Sequence, residues 1–230
     1  MDALKKRAYE ANMELWRKGL VIYTWGNVSE LDRQRGVFAI KPSGVPYDEL
    51  TAWDMVVLDV ETGKKIEGKY APSSDTPTHL ALYRAFETIG GVTHTHSSHA
   101  TAWAQAARAI PCYGTTHADY FYGAIPCTRN LTAEEIESDY EWNTGRLIVE
   151  TMQGKDPLHM GAALVRHHGP FTWGETGAVS VEKAVVLEEV ARMALCTCGL
   201  LEEKIEAPVT LQDKHFFRKH GKNAYYGQKK

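Results

Sequence analysis

At 230 residues, with 43% hydrophobic and 24% charged, the chain has the composition of a folded globular protein long enough to bury one core, which excludes disorder and fibrous repeats. A formal net charge of −3, with only short basic clusters at 5–7 and near the C-terminus, argues against a broad nucleic-acid surface. No apolar signal core opens the chain and no stretch is long enough to span a bilayer, so a cytoplasmic protein partnered by neither membrane nor nucleic acid is expected.

In chain order, 2–18 carries apolar residues at helical spacing (Leu4, Ala8, Ala11, Leu15) closed by Gly19, which predicts an opening helix. From Val21 the β-branched and aromatic runs VIYTW, VFAI and MVVLDV, broken by DRQRG and ETGK, predict a meander of antiparallel strands. A helix is expected over 76–86, with Ser74 or Asp75 as its cap and Pro77 in its first turn. Then comes GGVTHTHSSHATAWAQ, read as a strand over 92–96 and a helix over 98–108. Thr132 and Glu135 stand at capping-box spacing, and a helical run covers 144–152. ALVRHHGPF reads as a buried strand ending in a loop, a long helix as 180–201, and a shorter helix over 210–219 precedes the tail. Cys112, Cys127, Cys196 and Cys198 read as reduced thiols, since nothing marks an exported chain.

Side chains of a strand alternate faces, so His94 and His96 point the same way while Thr93 and Thr95 point the other. The adjacent His167 and His168 should face opposite sides, and only one of them can join that pair. Three histidines with an open position suit a catalytic metal, to which Asp75 could add an oxygen; unrelated structural histidines are as good a reading of these residues alone. PSSDTPTH, where Ser73, Ser74 and Asp75 meet a helix start, and KPSGV, with Lys41, Ser43 and Gly44, each permit an anion site. In GTTHADYFYG, Asp119 is a candidate general acid or base.

Taken in order, the blocks TWGNVS, IKPSGV, PSSDTPTH, GGVTHTHSSHATAWAQ, GTTHADYFYG, IPCTR, YEW, HGPF, VLEEVA and DKHFFRKHGKNAYYGQ resemble the class II aldolase/adducin-head family nearly end to end, and within it the L-ribulose-5-phosphate 4-epimerases. The resemblance implies one α/β domain over 1–230, three-layered α/β/α with a largely antiparallel central sheet, assembled as a homotetramer with sites at subunit interfaces. It implies Zn2+ on His94, His96 and His168 with Asp75 at the site. It further implies phosphate contacts from Asn27, Lys41, Ser43, Gly44, Ser73 and Ser74, and acid/base roles for Asp119 and Tyr226. Thr115, Glu141 and His215 match further polar positions. The implied substrate is a phosphorylated pentulose and the implied reaction C4 epimerisation; an Asp at 75, where the related aldolases resemble this pattern with a Glu able to act as base, fits a ligand role.

Overall fold

A computed structural model of the chain describes residues 1–200, 202–203, 205–220 and 224–226. Seven strands form one sheet: β1 (Gly26–Asp32), β2 (Val37–Ile40), β3 (Val56–Asp59), β4 (Lys65–Glu67), β5 (Gly91–Thr95), β6 (Ala162–Val165) and β7 (Gly169–Gly174). They lie in the order β4-β3-β2-β1-β5-β7-β6, every neighbouring pair antiparallel. The helices are α1 (Asp2–Arg17), α2 (Thr76–Ala85), α3 (Ser98–Gln105), α4 (Thr115–Ala118), α5 (Ala133–Glu137), α6 (Tyr140–Thr151), α7 (Pro157–Met160), α8 (Gly177–Leu200) and α9 (Val209–His220).

Strand alternation splits the core in two. On one face Val28, Val37, Ala39 and Val57 meet Leu4, Ala8 and Leu15 of α1 and Val181 and Ala184 of α8. On the other, Leu31, Phe38, Ile40, Val56 and Leu58 meet Leu80, Leu82 and Tyr83 of α2 and Ile148 of α6. Helices thus cover both faces of an antiparallel sheet, the expected three-layer α/β/α class. No described helix is long and apolar enough to cross a membrane.

Several sequence expectations shift in detail. The run VIYTW is no strand: Tyr23 has φ 51, and Trp25 and Gly26 donate back to Ile22 and Thr24 in a turn. β1 is instead the polar stretch GNVSELD, buried along nearly its whole length because both faces are covered. The helix expected over 98–108 ends at Gln105, just before Ala107 at φ 56. Leu201, the expected last residue of the long helix, lies outside the described residues. The capping box forms, Thr132 accepting from the Glu135 amide at 3.2 Å and Glu135 from the Thr132 amide at 2.8 Å. Gly91, which opens the histidine strand, abuts Thr176 and Gly177 at the start of α8 so closely that any Cβ would collide with their backbone.

Candidate metal and anion site

His94 faces the same side of β5 as Val92, while Thr93 on the opposite side meets Ser180 of α8, oxygen to oxygen at 2.6 Å. The His94 ring stacks on Phe171 of β7, centroids 4.1 Å apart at 15°. Its Nδ1 lies 3.0 Å from the Pro170 carbonyl, which can only accept, so Nδ1 is the donor there and Nε2 is the nitrogen left for a ligand. That Nε2 is buried and has no hydrogen-bond partner among the described residues. His96, one residue past the strand, and His168, from the turn joining β6 to β7, converge on it. One ligand nitrogen from each of the three histidines lies within 4.8 Å of the others. Burial, then the neighbouring His94 and His96, lowers the His168 pKa to about 3, and burial leads the lowering at His96. At neutral pH these two imidazoles therefore stand uncharged, in the form that ligates a metal.

The choice between the two adjacent histidines is made by a turn and not by strand alternation. The His168 amide donates to the Val165 carbonyl at 3.0 Å, closing a three-residue connection between β6 and β7. His167 sits in it at φ 62, exposed, its amide on the Ala104 carbonyl at 3.1 Å.

The histidines line a cavity of about 340 Å³ together with Asn27, Asp75, Tyr140, Glu141 and the loops at 41–44 and 73–75. Those two loops are joined through their backbones, Ser43 donating to Ala71 at 3.0 Å and Ser73 to Lys41 at 3.1 Å. The first turns sharply at Gly44, whose φ of 70 suits glycine. Lys41 is only 2% exposed. Its ammonium donates to the Val45 carbonyl at 2.5 Å and lies 4.8 Å from the Tyr47 ring centre, but among the described residues no carboxylate pairs with it. Burial accordingly lowers its pKa to about 8, leaving it mostly charged at pH 7.

Asp75 occupies the N-cap position of α2, yet its side chain makes no capping hydrogen bond. Its Oδ2 accepts from the Asn27 amide at 2.7 Å, and the same nitrogen lies 3.1 Å from the Ser73 hydroxyl. Asn27 Oδ1 is buried without a partner among the described residues. Asp75 lines the cavity but falls outside the tight histidine set.

Thr115, Asp119, His215 and Tyr226 do not line this cavity. Three of them gather elsewhere, where the end of α4 meets α9 and the tail. Asp119 accepts from Arg218 through both oxygens, at 3.0 and 2.8 Å, and lies 3.1 Å from His215 Nδ1. Burial raises the Asp119 pKa, but the Arg218 and His215 hydrogen bonds outweigh it and hold the carboxyl below its ordinary value. The Arg218 guanidinium lies 4.4 Å from the ring centre of Tyr226, whose amide donates to the Arg218 carbonyl at 3.1 Å. Thr115 opens α4.

Sequence reasoning missed Tyr140, which stacks beside His168 at 26° with its hydroxyl 3.4 Å from Nδ1, and the Pro170–Phe171 pair that orients His94. The one available signal for Tyr140 was its neighbour Glu141 in the block YEW.

A fully antiparallel sheet between helices, with three histidines converging at one strand end on a cavity that a buried lysine also lines, defines an α/β protein with a histidine cluster that could hold a metal ion. The model of the class II aldolase and adducin N-terminal domain matches residues 6–195, and the chain belongs to that family. Solved structures similar to it include an L-fuculose 1-phosphate aldolase, 24% identical, at a TM-score of 0.75 over 93% of this chain and 94% of that one. The L-fuculose 1-phosphate aldolase from Glaciozyma antarctica is 18% identical, with a TM-score of 0.78 over 97% and 84%. That of Thermus thermophilus is 22% identical, with a TM-score of 0.68 over 89% and 100%. At these identities the likeness carries the fold.

Proposed function

We propose that the chain is a Zn2+-dependent enzyme that interconverts L-ribulose 5-phosphate and D-xylulose 5-phosphate by breaking and remaking the C3–C4 bond. The observation that carries this reading is the convergence of three histidine nitrogens, one a buried Nε2 unpartnered among the described residues, on a cavity also lined by a buried lysine that pairs with no carboxylate among those residues. The unpartnered nitrogen fits a metal, and three imidazoles suit zinc with a position left open. Asp75 is the added oxygen ligand. Lys41, Ser43, Gly44, Ser73, Ser74 and the Asn27 amide bind the phosphate end of the substrate.

The C4 hydrogen is not adjacent to the C2 carbonyl and is not acidic, so simple proton removal cannot invert C4. A base taking the C4 hydroxyl proton lets C4–O become a carbonyl while the C3–C4 electrons pass to C3. The fragments are the enediolate of dihydroxyacetone and glycolaldehyde phosphate. A bound divalent cation supplies Lewis-acid stabilisation of negative charge on the substrate oxygens. The phosphate pocket holds glycolaldehyde phosphate while it turns its other face, and a proton returned to the C4 oxygen completes the product. Asp119, ionised against Arg218, serves as proton acceptor and Tyr226 as donor, the two exchanging roles in reverse.

Because the Asp119–Tyr226 cluster does not line the cavity of its own chain, the site in this reading is completed by a neighbouring copy in a homotetrameric ring, which also brings Thr115 and His215 to the substrate. Purified protein incubated with L-ribulose 5-phosphate tests it. D-xylulose 5-phosphate should accumulate. A second reading, net aldol cleavage, takes its support from the similar structures described as L-fuculose 1-phosphate aldolases, and predicts dihydroxyacetone and glycolaldehyde phosphate instead.

A further inference from the structure

The three histidines are not held equally well. His94 lies in paired strand, opposite Asn27 on one side and Phe171 on the other, with its ring fixed by Pro170 and Phe171. His168 is tied by a tight turn closed on Val165. His96 lies beyond the last paired residue of β5, Thr95, and two residues before α3. What fixes its backbone is the passage from strand to helix.

Its local tie is one long bond, the Ser97 amide donating to Thr95 Oγ1 at 3.3 Å. Ser97 occupies the N-cap of α3 but makes no capping hydrogen bond, although serine is a favoured residue there. The first-turn amides are taken by Glu188 of α8, 89 residues away in sequence. Its Oε1 accepts from the His99 amide at 2.9 Å and lies 2.7 Å from His99 Nδ1, and its Oε2 accepts from the Ala100 amide at 3.0 Å. Glu188 is 17% exposed and shares with His96, Ser97 and Trp25 a separate hollow of about 240 Å³. Burial raises its pKa, but the Ala100 and His99 bonds outweigh this and keep it a carboxylate. A carboxylate from α8 thus takes the place of the Ser97 side-chain cap on the turn that follows His96, the one histidine outside a paired strand or a closed turn.

We propose that Glu188 is a positioning residue for the metal site, fixing through the first turn of α3 the direction from which His96 approaches the ion. The inference rests on the three-histidine reading. Outer partners that orient a ligand are worth about 10- to 100-fold in metal affinity. Glu188→Gln keeps the size of the side chain but replaces one acceptor with an amide donor that cannot take an N–H. Glu188→Asp keeps the charge and withdraws it by one methylene. His99→Ala leaves both backbone bonds in place.

The test titrates Co2+ alone into each variant and records affinity and the visible ligand-field spectrum, with melting in chelator measured alongside. Glu188→Gln should weaken Co2+ about 10-fold or more and shift the spectrum, Glu188→Asp should lose less, and His99→Ala should stay close to wild type. Wild-type affinity and spectrum in both Glu188 variants, with only the melting temperature lowered, would make Glu188 a helix cap and nothing more. A Co2+ affinity that survives His96→Ala unchanged would overturn the three-histidine reading and this inference with it; affinity lost in His96→Ala but intact in both Glu188 variants overturns this inference alone.

Discussion

A lysine 2% exposed with no carboxylate beside it among the described residues is costly to keep, and Lys41 shows that cost in a pKa lowered by burial to about 8. Removing it therefore separates folding from binding. Lys41→Met should melt at or above the wild-type temperature while the KM for a sugar phosphate rises about 10- to 100-fold, the worth of a charged hydrogen bond. A variant that loses stability and keeps its KM would contradict an anion role. The adjacent histidines separate in the same way. His168→Ala should abolish tight Zn2+ binding, whereas His167→Gly, at an exposed position with φ 62, should keep the metal and gain up to about 1 kcal/mol of stability from relieved backbone strain. Equilibrium dialysis with Zn2+ and urea melts check both. The pairing of His94 with His96 was legible from strand alternation although β5, expected to run to residue 96, ends at Thr95, one residue short of His96. The choice of His168 was not, because a turn set it, and Tyr140 was hidden because its role comes from a helix packing beside that turn.

Elements read from the sequence wherever local chemistry decided them: α2 with Pro77 in its first turn, the Thr132–Glu135 box, and the strands within VFAI and MVVLDV. The error at VIYTW had a physical cause. Ile22, Tyr23 and Trp25 are apolar yet exposed, and β1 is polar yet buried, so hydrophobicity and pairing part company there. The polar side chains of β1 are matched across the layers. Ser29 lies 2.7 Å from both His79 Nδ1 and the Tyr83 hydroxyl of α2, fixing helix to sheet. Burial takes the His79 pKa down to about 3, and burial likewise takes His117 of α4 to about 4, against an ordinary value of 6.5. Both pKa values are depressed, so the unfolded chain binds protons that the folded chain refuses, and stability must fall as pH drops below 6.5. Chelator-treated protein should lose up to about 1.4 kcal/mol per pH unit for each of these groups between pH 6.5 and 4.5, a window above the ordinary carboxylate range. Urea melts across it should show that slope, and His117→Gln should reduce it. A flat profile would mean these rings accept protons in the fold.

At the scale of the whole molecule, the three-layer class with a largely antiparallel sheet followed from the family resemblance and not from periodicity, which saw the meander; the strand order, with β5 between β1 and β7, came from neither. The division of the polar residues into two clusters was not legible from spacing along the chain, which says nothing about which residues share a cavity; the resemblance, with its sites at subunit interfaces, is what anticipates it. If a ring completes each site, a His96→Ala chain and a Tyr226→Phe chain each lack a different face of it. Co-refolded at equal amounts, about a quarter of the sites in mixed rings carry both intact faces, so activity should rise well above that of either variant alone. Mixed rings, verified by mass, with no gain over the mean of the parents would place Tyr226 in its own chain's chemistry or in none.

The most direct measurement of the central claim is the conversion of L-ribulose 5-phosphate by Zn2+-loaded protein in D2O, followed by NMR of the pentulose phosphates. Breaking and remaking C3–C4 never touches the C4–H bond. D-xylulose 5-phosphate should therefore form with protium retained at C4 and without accumulation of glycolaldehyde phosphate. Deuterium at C4, cleavage products in place of the epimer, or no turnover of the pentulose at all would contradict the account.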